Sequence, residues 1–355
     1  MVGTELKTQY TLHIRRKQVL GCVLVLLIAG AIAVSLRTGA YPVGIGDIPA
    51  AIIGRGDVPA RHVFWHIRLP QVSAALLAGA CLGLAGTAMQ NVLRNPLASP
   101  FTLGISQGAV FGAVFAITVL GAGSTGAIGT PNASPWLAHV IVGCAFAGSL
   151  VTVAALVCLS SLRDLSPAAL ILAGVAISAF FGSATMLLQY FASDIEVASA
   201  VFWTFGDLRK AQWPQLAVIT VVLLPPVSYF LWRSWDFNAM IWGDDTARSL
   251  GIGVHSLRLT ALLLAALAAS VTTAFMGIIG FVGLIAPHMV RMFVGQDHRF
   301  LFPYSALAAG LLLLVSDLLA RTVMAPIVLP VGILTSFAGA PLFLYLLVKN
   351  QDIRS

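Results

Sequence analysis

Gly277-Ile278-Ile279-Gly280-Phe281-Val282-Gly283-Leu284-Ile285-Ala286-Pro287-His288-Met289-Val290-Arg291 is apolar enough for lipid and too interrupted for a plain helix. In a helix interior glycine costs about 1 kcal/mol relative to alanine, and proline about 3. Gly277, Gly280, Gly283 and Pro287 therefore break any rod that runs through them. Irregular backbone at membrane depth survives only where protein or a water-lined cavity satisfies the freed N–H and C=O groups. The stretch is expected inside a helical bundle, packed or lining a path.

The surrounding composition makes lipid the solvent. The chain is 59% hydrophobic and 9% charged over 355 residues, against about 45–50% and about 25% in soluble domains. Ten apolar segments approach spanning length, at 19–36, 69–90, 104–121, 136–159, 168–190, 214–232, 257–279, 281–294, 301–320 and 330–348. The expected fold is an all-α, polytopic membrane protein of about ten transmembrane helices. Arg15, Arg16 and Lys17 before the first apolar run imitate a secretory signal, but further spans follow and the segment reads as a retained helix. The net charge of +7 lacks the basic face and interleaved aromatics of nucleic-acid binding. It reads as topology, since Lys and Arg favour cytoplasmic loops. A cytoplasmic N-terminus and alternating spans place both termini inside with most of the cations. Arg37, Arg55, Arg61, Arg68, Arg209, Lys210 and Arg321 then fall outside.

Other motifs are weak. Gly104-Ile105-Ser106-Gln107-Gly108 has the serine-elbow spacing but opens a membrane helix rather than a strand–turn–helix unit. Gly121 to Gly126 matches a dinucleotide loop without its strand and helix. No glycine precedes a lysine, so the phosphate-binding loop of an ATPase is absent. Cys22, Cys81, Cys144 and Cys158 sit singly in apolar runs and suggest neither disulfide nor zinc. His62 and His66 are four apart in an outer loop, with a metal contact the less favoured reading.

The polar features are more informative. Residues 1–18 read as a cytoplasmic tail, 38–68 as an outer loop and 235–255 as an inner loop. In the inner loop Gly243-Asp244-Asp245-Thr246-Ala247-Arg248-Ser249-Leu250-Gly251 has acids suited to a helix start and glycine suited to its end, a natural docking knob. Arg68-Leu69-Pro70 opens the second span, with proline in the first turn and Arg68 at the outer surface beside Arg55 and Arg61. Asp317 and Arg321 are four apart on the ninth span and can pair.

Together with Gln90, Asn95-Pro96-Leu97-Ala98-Ser99-Pro100, Leu103 to Ala109, Leu172 to Val175, Asp297-His298-Arg299, Pro330-Val331-Gly332 and Gly339-Ala340-Pro341, these residues resemble the permease family of iron-chelate, haem and cobalamin importers, the FecCD/BtuC type. The resemblance covers nearly the whole chain. It implies one transmembrane domain over 1–355, the bundle of a type II ATP-binding-cassette importer, in the cytoplasmic (inner) membrane. It implies a homodimer with a path between subunits, two ATPase subunits carrying ATP and magnesium, and a periplasmic or lipid-anchored substrate-binding protein. No enzymatic activity or cofactor is expected on this chain. By the resemblance, Gly243, Asp244, Asp245, Ala247, Leu250 and Gly251 form the loop that couples to the ATPase. Arg68 and Arg321 meet acidic residues of the binding protein, and Arg55 or Arg61 stands in for a family arginine replaced by Gln71. The expected cargo is an iron chelate such as a ferric siderophore, or haem or cobalamin. The rival reading is an ion-coupled secondary transporter of a metal complex, with Asp317 its best coupling residue.

Overall fold

A computed structural model of the chain describes residues 2–39, 58–122, 135–162 and 166–351. In chain order the helices are α1 (Val2–Arg37), α2 (Val58–Val92, with a π turn at Phe64–Arg68), α3 (Ile105–Thr118), α4 (Pro135–Leu162), α5 (Pro167–Phe191), α6 (Asp194–Thr204), α7 (Trp213–Trp232), α8 (Ser234–Met240), α9 (Asp244–Ser249), α10 (Val254–Met276), α11 (Val282–Val294), α12 (His298–Thr322) and α13 (Val331–Gln351). Among the described residues no strand forms. Seven helices are long and apolar enough to cross a membrane and three apolar ones are shorter. Each of the ten expected segments falls on one of these.

The core is built on α2 and α10. Their most apolar windows are 78% and 67% buried, against 17% for α1. Small residues let the backbones close on one another, which is how helices associate when lipid tails are as apolar as leucine. A methyl group at Gly79 would overlap Gly310 of α12, one at Gly83 the Ser305 carbonyl, and one at Gly86 the Gly283 carbonyl of α11. The α3–α4 crossing repeats the device, with Gly108 against Gly148 and Gly112 against the Cys144 carbonyl. Gly104 packs against Ser178 as well. It takes a left-handed turn, φ 83°, just before α3.

The broken stretch resolves into a crossing. α10 stops at Met276 rather than at 279, because Gly277 turns to φ 80°. Residues 277–281 lie outside any helix, and Phe281 at φ 65° caps the start of α11. The freed backbone groups find backbone partners: Asp207 N–H donates to Met276 O at 2.8 Å, Ile278 N–H to Thr204 O at 3.2 Å, and Gly332 N–H to Gly206 O at 3.0 Å. α11 has 13 residues, about 20 Å at 1.5 Å per residue, which is short of a hydrocarbon core of about 30 Å.

Three segments read from sequence as loop or tail carry helix. Residues 2–18 continue α1 without a break. The outer loop is helical from Val58, its residues 40–57 lying outside the described ones. The inner loop holds α8 and α9 and ends at Gly253, since His255 already belongs to α10. Asp194 and Glu196 occupy the first turn of α6 behind a Ser193–Glu196 capping box.

Gly83→Leu and Gly86→Ala should each lower the unfolding midpoint of the detergent-purified protein, by an energy on the order of 1–3 kcal/mol as overpacking does. Gly143→Ala, where nothing lies within 4 Å, should leave it unchanged. Three indistinguishable melting curves would sink the glycine-crossing account.

Candidate coupling and docking sites

The loop between α7 and α10 projects a short knob and roots it in charge. Gly243, at φ 116°, precedes α9, and Gly251, at φ 81°, follows it. Both conformations suit a residue without a Cβ. Ala247 faces inward and is fully buried. Asp244 also faces the protein: its Oδ1 accepts from Arg94 Nη2 at 2.6 Å, and its Oδ2 from Arg258 Nη2 at 3.0 Å. Arg258 Nε in turn donates to the Val92 carbonyl at 3.1 Å. One carboxylate thus ties α9 to the end of α2 and to the first turns of α10. Arg94 holds a left-handed backbone, φ 47°, rare for a non-glycine residue. What the knob offers to a partner is Trp242 and Leu250, 79% and 67% exposed, with Asp245 and Arg248 beside them.

Sequence reasoning treated Asp244 and Asp245 as equals, and the structure separates them. Asp245 is fully exposed, with only Arg248 at 3.9 Å. Arg94 and Arg258 were missed. Their meeting with Asp244 depends on how α2 and α10 pack.

The opposite end holds the arginines expected to form an outward patch, and two of them make internal contacts. Arg68 is 2% exposed. Its guanidinium donates to the Leu36 carbonyl and, at 2.9 Å, to that of Arg37. Arg321 is half-buried, its side chain 8% exposed. It lies 3.0 Å from Asp317 Oδ2 and donates to Ser35 Oγ at 2.6 Å and to the Thr38 carbonyl at 3.1 Å. The last turn of α1 leaves its carbonyls without intrahelical donors, and these two cations supply them. Gln71 is likewise internal. Its Nε2 donates to Asp317 Oδ1 at 2.7 Å, so it is a partner for a buried acid rather than a lost docking cation. Arg61 stays on the exposed face of α2, and Arg55 lies outside the described residues.

Between the two ends an open cavity of about 630 Å³ sits against the crossing. Phe205, Gly206, Ile278, Ile333, Phe337 and Pro341 line it, with Thr204 and Ser336 as polar points. The size suits an organic ligand. Ser106 Oγ, the nucleophile of the sequence's serine motif, is buried without any hydrogen-bond partner, so it has no base.

The chain is similar to known proteins over nearly its whole length. Residues 25–349 match the FecCD transport family. The chain belongs to that family. It is 47% identical over 348 residues to a protein of Methanocaldococcus jannaschii assigned as an ABC transporter permease, covering 97% of this chain and 98% of that one. It is 39% identical to the hemin transport permease of Yersinia pestis, over 83% and 85% of the two chains. It is 35% identical to the cobalamin import permease of Halobacterium salinarum, over 91% and 85%. A solved inward-facing transporter described as metal-chelate type superposes with a TM-score of 0.81 at 31% identity, covering 94% and 99%. This FecCD permease is therefore a multi-pass transport subunit. Hydrolysis of ATP lies on a separate partner chain, and a substrate-binding protein is a further partner.

Asp244→Ala should loosen the knob, at a cost of roughly 1–3 kcal/mol because it strands a nearly buried guanidinium. Asp245→Ala should cost almost nothing, and limited proteolysis of the 240–253 segment would tell them apart. For Arg68→Glu, a loss of thermal stability that salt does not restore is expected, since the contact is internal. Unaltered melting would return Arg68 to the surface.

Proposed function

We propose that this FecCD permease forms, with a second copy of itself, the path of a cytoplasmic-membrane importer for an iron chelate. In this reading two ATPase subunits engage the knob formed by Gly243, Asp244, Asp245, Ala247, Leu250 and Gly251. The carrying observation is the division of labour on α9: Asp244 and Ala247 are committed to the protein, while Trp242 and Leu250 remain as an unpartnered apolar face. That face lies on the side with the larger share of cations, which the positive-inside tendency assigns to the cytoplasm.

Docking and closure of the ATPases move the knob, and through Arg94 and Arg258 they move α2 and α10. The far end of α10 leads straight into the 277–281 crossing beside the cavity, so a shift at the knob reaches the path. Alternation of the open side follows. The cavity wall is mainly apolar and offers few directional groups, which suits a bulky chelate held weakly and leaves selection to the binding protein. The names of relatives, hemin and cobalamin permeases among them, support a metal complex of this size class. The wide-open side of the cavity, with Phe337 of α13 83% exposed, supports closure by a second copy. On the opposite end the binding protein would meet the exposed face that carries Arg61.

The ion-coupled alternative requires a buried acid free to exchange a proton. Asp317 has Gln71 on one oxygen and Arg321 beside the other, which disfavours it.

In proteoliposomes with the cognate ATPase and binding protein, Leu250→Asp should reduce ferric-chelate uptake about tenfold, the effect of about 1.4 kcal/mol of lost docking energy. The variant should melt like the parent. Uptake that persists unchanged, or that runs on an ion gradient without the ATPase, would overturn the reading.

A further inference from the structure

The loop that bears the knob has a second root, and none of its residues belongs to the knob. Asn238 of α8 donates from Nδ2 to Asp297 Oδ1 at 3.2 Å. Its own Oδ1 lies 2.7 Å from the His298 backbone N–H and 3.0 Å from His298 Nδ1. Asn91 of α2 presents Nδ2 to His298 Nε2 at 3.1 Å. The donors and acceptors agree only if His298 is neutral with its proton on Nδ1, a tautomer assigned from the network. Lys17 of α1 closes the chain on Asp297 Oδ2 at 3.2 Å. Burial alone would raise the Asp297 carboxyl, but hydrogen bonds from Arg299, Asn238 and Lys17 outweigh it and hold the group well below the usual carboxylate range.

Beneath this polar node lies an aromatic box. Phe302 of α12 stacks on Phe230 of α7 with centroids 4.9 Å apart and planes 4° from parallel. It meets Phe237 of α8 edge-on at 5.0 Å, and His298 sits 5.3 Å away. All three phenylalanines are fully buried. The Arg299 guanidinium covers the Trp235 ring of α8 at 4.3 Å. Aromatic pairs add roughly 0.5–1.5 kcal/mol each beyond area burial, and a satisfied buried network specifies one arrangement. α8 therefore moves with the start of α12.

The other end of α12 carries Asp317 and Arg321, which grip Gln71, Ser35 and the Thr38 carbonyl. From His298 to Asp317 the helix spans about 28 Å, close to the hydrocarbon thickness of about 30 Å. We propose that α12 is the shaft that carries loop motion across the membrane to the opposite end, and that Asn238 and His298 are the positioning residues that clamp the loop to it. The proposal rests on the reading that an ATPase drives this loop. It adds a second route beside the Asp244 root, and this one also touches α2 at Asn91 and Gln71.

The test uses the full complex of permease and cognate ATPase in nanodiscs. An environment-sensitive fluorophore is placed at Val323→Cys, just past α12, in a background with the four native cysteines changed to serine. Vanadate trapping of ATP should shift the emission of the parent. His298→Phe keeps a ring in the aromatic box and removes both ring hydrogen bonds, and Asn238→Leu removes the link to Asp297. In both variants the ATPase should still co-purify and hydrolyse ATP, and the emission shift should be lost. A full shift in these variants overturns the proposal. Loss of the ATPase itself also overturns it, by making the node part of docking rather than of transmission. Leu250→Asp separates the two readings: if ATPase retention does not depend on Leu250, the knob assignment fails, whatever happens at His298.

Discussion

Lipid offers no hydrogen-bond partner to a peptide group, and the structure is organised around the place where this chain leaves helical geometry inside the bundle. Residues 204–207, 276–278 and 332 come from three distant parts of the sequence and satisfy one another's backbone. They can do so only because Gly206, Gly277 and Gly332 let main chains approach closer than any Cβ permits. The cavity lies against that crossing, so the wall of the candidate path is in part main chain. A main-chain wall has fixed dipoles and little side-chain chemistry. It suits a transport subunit that makes few directional contacts with its cargo.

Charge is used sparingly, and several of the enclosed charges join elements. At the knob end, Asp244 binds α9 to α2 and α10, and Asp297 binds α8, α12 and α1. At the other end, Arg68 and Arg321 hold the terminal carbonyls of α1. Ion pairs buried in a protein are costly to assemble and costlier to break on one side. Such pairs serve better as registers that fix one arrangement than as sources of stability. The shape of the polar network, with each group reaching a different helix, fits that use.

The ten apolar segments and the broken eighth were legible because hydrophobic length and glycine or proline interruption are local signals. The knob's boundaries were legible for the same reason: Gly243, Asp244 and Gly251 announce a short capped helix within one loop. Side-chain direction was not legible. Whether Arg68 faces water or the α1 terminus depends on how α1 packs against α2, and single-sequence spacing contains no term for that. The same holds for Gln71, whose partner Asp317 is 246 positions away. Arg94 and Arg258 looked like ordinary loop cations until the helices bearing them met. Composition located the helices in lipid, and only tertiary contact told which charges were spent inside.

The N-terminal helix has an unusual mode of attachment. Its apolar window is only 17% buried, while Lys17 fastens it near the middle and Arg68 and Arg321 at its C-terminal end. Such a beam, pinned near its middle and at one end, contributes little to the filling of the interior. Its absence would open no void in the centre. It would instead leave guanidinium and carboxylate groups confronting hydrocarbon, a penalty of electrostatic rather than steric origin. The helix thus works as a shield for charges that the rest of the bundle could not otherwise keep at that depth.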